Sequence, residues 1–163
     1  MKIKTVLGLI SIMLLMLIVS PLSYSQKMAA DGKVGISFFT GNGSSTGLLF
    51  GGGLDIPFQD RLYFRPELNI TTHGGTPIEL GGKLKYVLPT SPFGTDFYVD
   101  GGIGVWFSSG GSALGIDGGA GTLFSLSGSN LKIPVEIRLG PILESGSTVF
   151  HIAITSGVRL GIP

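Results

Sequence analysis

The stretch RLYFRPELNITT, residues 61–72, alternates strictly. Leu62, Phe64, Pro66, Leu68 and Ile70 form one set. Tyr63, Arg65, Glu67, Asn69 and Thr71 form the other, which carries two opposite charges. A period of two is the mark of a β-strand between two unlike environments. A soluble barrel turns the apolar set inward, whereas a membrane barrel turns it outward against lipid. The choice of face therefore decides what the chain can be.

The same pattern recurs along the chain. Eight segments stand near 33–40, 46–56, 61–72, 77–89, 95–108, 112–127, 130–143 and 148–162, with no helical period among them. The breaks are short clusters such as TGNGSST, PFQDR, SSGGS and ESGS, the links that antiparallel neighbours need. Glycine doublets (Gly52-Gly53, Gly81-Gly82, Gly101-Gly102 and Gly118-Gly119) fall inside strands, and no helix follows them, so they are not nucleotide-cradling loops. A small closed barrel uses such glycines where the sheet bends or the interior is tight. Pro66 and Pro134 also fall inside strands, where a bulge is the expected accommodation.

Large apolar residues fix the phase of each strand, and the charges test it independently. Asp55, Arg65, Glu67, Glu79, Lys83, Lys85, Asp100, Asp117, Lys132, Glu136, Arg138 and Arg159 all fall on the face opposite the apolar one. Chance would give that about once in a few thousand placements on a period-two pattern. An eight-stranded lumen is only wide enough for side chains to fill. It has no room for all of the broad aliphatic faces, but suits the face made of glycines and paired charges. The phase predicts apolar outside and polar inside, a transmembrane barrel that closes because an open edge in lipid leaves backbone groups unpaired. The six acids and six bases of that face predict a lumenal salt-bridge network that plugs the barrel. Two groups of aromatics near the strand ends fit two interfacial belts: Phe58, Tyr63, Phe64, Tyr86, Phe93 and Phe97 at one end, Phe38, Phe39, Trp106, Phe107 and Phe150 at the other.

The first 25 residues read as a secretory signal peptide. Lys2 and Lys4 form a basic start, Val6 to Val19 is nearly unbroken apolar sequence, and Ser23-Tyr24-Ser25 precedes a cleavage point near Ser25/Gln26. Residues 26–32 are expected as a short periplasmic segment before a barrel spanning 33–162. Without the leader the chain has nine basic and ten acidic residues, a net charge of −1. That excludes an electrostatic nucleic-acid binder. Cysteine is absent, which removes disulfides, thiolate metal sites and a lipoprotein anchor. His73 and His151 lack the carboxylate spacing of a metal site, so neither a metal nor a cofactor is expected.

On these residues the chain resembles the small eight-stranded outer-membrane β-barrel proteins of Gram-negative bacteria, the outer-membrane protein A barrel and the outer-membrane protein X type. The resemblance covers about residues 33–162. It implies an outer-membrane location with both termini in the periplasm, and the connections near 41–45, 73–76, 109–111 and 144–147 outside. It also implies contact with outer-membrane lipid and with the barrel-assembly machinery. The last strand, Thr155-Ser156-Gly157-Val158-Arg159-Leu160-Gly161-Ile162, is similar to the assembly signal of such families, with Thr155, Gly157, Leu160 and Ile162 at its key positions. It differs in having aliphatic residues where aromatics are favoured and in ending on Pro163. Lipid A deacylases of similar size carry His-x-Ser, but the comparable stretch here is His151-Ile152-Ala153, without the nucleophile. The palmitoyltransferase set of His, Asp and Ser has no match around His73. The expectation is a non-enzymatic structural barrel serving envelope integrity or limited surface contact. An exported soluble carrier of an apolar ligand and a narrow small-solute channel are the alternatives.

Overall fold

The computed structural model describes residues 27–41, 43–74, 76–89, 95–144 and 146–162. The expected signal peptide and its cleavage point lie outside them, as does Phe93. Eight strands form: β1 (Ala29–Thr40), β2 (Ser45–Gln59), β3 (Leu62–Thr71), β4 (Ile78–Val87), β5 (Asp96–Ser108), β6 (Gly111–Ser125), β7 (Leu131–Glu144) and β8 (Ser147–Gly161). Each pairs antiparallel with its sequence neighbour, and β1 pairs with β8, so the sheet is a closed up-and-down barrel. Closure leaves no unpaired edge.

The seam between β1 and β8 runs from Ala29 opposite Gly161 to Thr40 opposite Phe150. Strand β1 thus begins earlier than the pattern predicts. Residues 29–32, expected in a free periplasmic segment, belong to the barrel wall, because β8 extends to Gly161 and offers them partners. Gly157 makes the seam possible: a Cβ there would overlap the Gly32 carbonyl and the Lys33 backbone. Pro66 and Pro134 are accommodated by gaps in the ladder without a register shift. The β2–β3 ladder lacks pairs where Pro66 faces β2, while Pro66 still pairs with Gly82 of β4. Likewise the β7–β8 ladder opens at Pro134, whose carbonyl accepts the Ser156 hydroxyl at 3.0 Å. Among the described residues a register shift lies at Pro57/Gln59.

The apolar residues point outward. Leu48, Leu80, Leu84, Leu139, Ile154 and Val158 are each about half exposed, and aliphatic and aromatic side chains ring every strand. The charged positions are buried within: Asp55, Arg65, Glu79, Lys83, Lys85 and Arg138 are at most 2% exposed. Water would not tolerate that distribution and lipid requires it. The soluble carrier with an apolar interior is overturned by this arrangement. Three expected belt residues stand on the inward face instead: Tyr63, on the face of β3 that carries Arg65 and Glu67, and Phe39 and Trp106, which pack with Ile142.

Candidate functional site

The lumen is layered along the barrel axis, and the strand register sets the order. Nearest the termini, Arg159 and Lys85 both reach Asp55, with Lys85 Nζ 2.9 Å from its Oδ2. The same ammonium sits 3.9 Å above the Tyr98 ring. Gly121 creates the space for that ring, since a Cβ there would collide with it. The Tyr98 hydroxyl then donates to Glu136 Oε2 at 2.8 Å.

The next layer centres on Arg65 and Glu67. Arg65 bonds Asp31 at 2.5 Å and Glu136 at 3.4 Å, and its Nε lies 3.8 Å from both Asp55 and Glu67. Glu67 has three more cations around it: Lys33 at 2.8 Å, Lys83 at 3.2 Å and Arg138 in a direct bond. Lys83 also reaches Asp117 at 3.0 Å and Asp100 at 3.9 Å. Above these, the Arg138 guanidinium spans Glu67, Glu79 at 2.9 Å and Asp117 at 3.5 Å, and Asn69 donates to Glu79 at 2.9 Å and Glu67 at 3.2 Å. Glu67, Glu79 and Asp117 have the carboxylate spacing of a metal site. Arg138 fills that place with its own charge, so the cluster is an arginine clamp.

Eleven of the twelve charges singled out in the sequence meet here: Asp55, Arg65, Glu67, Glu79, Lys83, Lys85, Asp100, Asp117, Glu136, Arg138 and Arg159. Lys132 does not. It stands at the start of β7, at the barrel rim, where it pairs with Asp96 at 2.6 Å and both side chains are more than a third exposed. The pattern had the right face and the wrong depth. Asp31 and Lys33 take its place, so the expected balance of six and six becomes seven carboxylates against six cations. Both Asp100 oxygens lack a hydrogen-bond partner among the described residues. Tyr98 and Asn69 were missed as well. They lie on the charged face of their strands, which is the signal that would have found them.

Beyond the charges the lumen changes character. His151 Nε2 lies 3.1 Å from Ser37 Oγ, with both residues at most 2% exposed. The His151 ring stacks on Phe39 and meets Trp106 edge-on, each at 4.9 Å. Phe39, Trp106 and Ile142 form an apolar layer with Ala113 and Val149. It floors a cavity of about 510 Å³ that opens between the connections at the end away from the termini. His73, in the β3–β4 connection, stacks on Phe39 at 5.5 Å from within that mouth. In the last strand, Thr155 is buried in the lumen, Leu160 points outward and half exposed, and Gly157 lies in the seam.

No protein-family model matches the chain, and no curated protein sequence is similar to it. Solved structures do match. The chain is similar to Neisserial surface protein A with a TM-score of 0.68 and 14% identity, over 83% of this chain and 97% of that one. It is similar to the N-terminal β-barrel domain of Pseudomonas aeruginosa OprF with a TM-score of 0.54 and 11% identity, over 83% and 98%. A third similar structure is the outer membrane enzyme PagL, with a TM-score of 0.53 and 16% identity over 80% and 99%. Together with the lipid-facing aliphatic surface, these similarities give the chain the fold of the small eight-stranded transmembrane barrels of the bacterial outer membrane.

Proposed function

We propose that this chain is a structural outer-membrane barrel whose lumen is plugged by its own salt bridges, and that it carries neither a solute pathway nor a catalytic centre. One observation carries the reading: Arg65 and Arg138 cross the lumen to reach carboxylates on several other strands, and both are 2% exposed. Charge packed this tightly between opposite charges leaves no continuous aqueous path in a lumen of eight strands. The short connections support a role in envelope integrity or limited surface contact rather than capture of large partners. With an even number of strands the termini face the periplasm, and the cavity mouth faces outward. Outer-membrane lipid and the barrel-assembly machinery are its partners, the latter through Thr155, Gly157, Leu160 and Ile162.

The non-catalytic reading rests on His151. Its ring points into the lumen, and the hydroxyl it meets, Ser37, is fully enclosed beneath the aromatic layer. A nucleophile needs an approach for its substrate and a base oriented by a third group. That OprF, whose barrel domain shares this fold, and PagL, an outer membrane enzyme, share one architecture means that the fold alone does not decide activity.

Planar-bilayer recording on the refolded protein tests the plug. The proposal expects a silent membrane. Stepwise ohmic conductance would support the narrow channel instead. Glu67→Ala, which removes the acceptor shared by four cations, is the variant expected to admit current.

A further inference from the structure

We infer that the cavity at the far end of the barrel is a binding site for a small organic cation, an ammonium group carried on an apolar or aromatic body. The site is separate from the plugged lumen beneath it, and its argument begins with charge. The four connections at this end read GNGSS, THGGT, SSGGS and ESGS in the sequence. They contain no lysine or arginine, and their one carboxylate is Glu144. Glu144 lines the cavity wall, beside Ser147, whose hydroxyl donates to it at 3.4 Å. An anion would meet no positive partner here, whereas a cation meets a carboxylate that is not spent on the lumenal network.

The floor gives the second argument. Phe39 and Trp106 meet edge-to-face at 5.9 Å, and His73 stacks on Phe39 at the mouth. The cavity lining thus joins aromatic side chains with one carboxylate and no lysine or arginine, a combination that suits an alkylammonium group because an aromatic π-system attracts a cation electrostatically. Outward they would serve as interfacial belt residues; inward they form a floor with an open space above it. A volume of about 510 Å³ suits a ligand of drug or metabolite size. The arrangement is also held from below: the His151 ring backs Phe39 and Trp106, and His151 is fixed to Ser37. The rings are therefore set before any ligand arrives, which lowers the ordering cost of binding.

Trp106 is the only tryptophan in the chain, so its fluorescence reports on this floor alone. The experiment titrates the folded barrel, in a neutral detergent, with benzyltrimethylammonium. Benzenesulfonate and benzyl alcohol serve as the anionic and neutral counterparts. The inference expects a saturable change in Trp106 emission with the cation and none with the sulfonate. Glu144→Gln, an exposed change that leaves the fold intact, is expected to weaken the cation by about fivefold. His73→Ala is expected to weaken it less. An equal response to benzyl alcohol, or full affinity in Glu144→Gln, overturns the cation assignment and leaves a merely apolar cleft. The absence of any saturable response overturns the site. Because the readout involves no current through the lumen, its failure and that of the plug are separate results.

Discussion

Lys33 Nζ lies 2.8 Å from Glu67 Oε2, a bond that crosses the lumen from the first strand to the third. It ties the seam-forming strand β1 to the carboxylate that shares the most cations among the described residues. Glu67 answers to cations from β1, β3, β4 and β7, so one carboxylate links the seam-forming strand to three others. Its loss is expected to be felt throughout.

Glu67→Ala is expected to destabilise the folded barrel by about 3–5 kcal/mol, because it leaves buried cations without their partner. Equilibrium unfolding by denaturant in lipid vesicles measures this directly, read against the wild-type protein.

Asp100→Asn makes the opposite case. The lumen holds one carboxylate more than its cations, and Asp100 is the carboxylate whose nearest cation is 3.9 Å away and whose oxygens have no hydrogen-bond partner among the described residues. Removing its charge is expected to change stability by less than about 1 kcal/mol, because the buried carboxylate has no hydrogen bond to lose and only a distant cation. The same unfolding measurement on Asp100→Asn and Glu67→Gln gives the contrast, and equal losses would refute the ranking.

Tyr98→Phe removes one hydroxyl and keeps the ring under Lys85. The lost bond is to the buried Glu136 carboxylate, so a cost of about 1.5–3 kcal/mol is expected, the range for hydrogen bonds to charged groups. Unfolding midpoints of the two proteins, taken side by side, check it.

At the seam, Gly157→Val is expected to prevent closure, because any side chain there meets the β1 backbone. Leu160→Ala, on the lipid face of the same strand, is expected to close normally. Heat-modifiable migration in SDS separates the two outcomes: a closed barrel shifts on boiling and an unclosed one does not. If Gly157→Val closes normally while Leu160→Ala fails, the glycine has no steric role and the lipid-facing side chain carries the strand's function.

The faces of the barrel were legible in the sequence, because charge and apolar bulk exclude one another on alternate residues. Height within the barrel was not. A period of two says which way Lys132 points but not how deep it sits, and its place as the second residue of β7 leaves it at the rim with Asp96. Strand β1 was read short because Ala29, Ala30 and Gly32 carry no strong apolar signal. Only pairing with β8 makes 29–32 a strand, and with them Asp31 enters the lumen. Phe39 and Trp106 misled for a related reason. An aromatic next to a strand end fits an interfacial belt and an inward floor equally well by type, and the phase of the neighbouring Phe38 and Phe107 is what decides.

The face assignment is the central claim, and lipid quenching tests it. Reconstituted into bilayers of brominated phospholipid, the wild-type protein carries its single tryptophan inside, at Trp106. A Leu84→Trp variant in a Trp106→Phe background carries it outside, where Leu84 is 53% exposed. The account predicts strong quenching of the variant by bromine in the acyl chains and little quenching of the wild type. Quenching of Trp106 with an unquenched tryptophan at position 84 would contradict it, and would turn the barrel inside out.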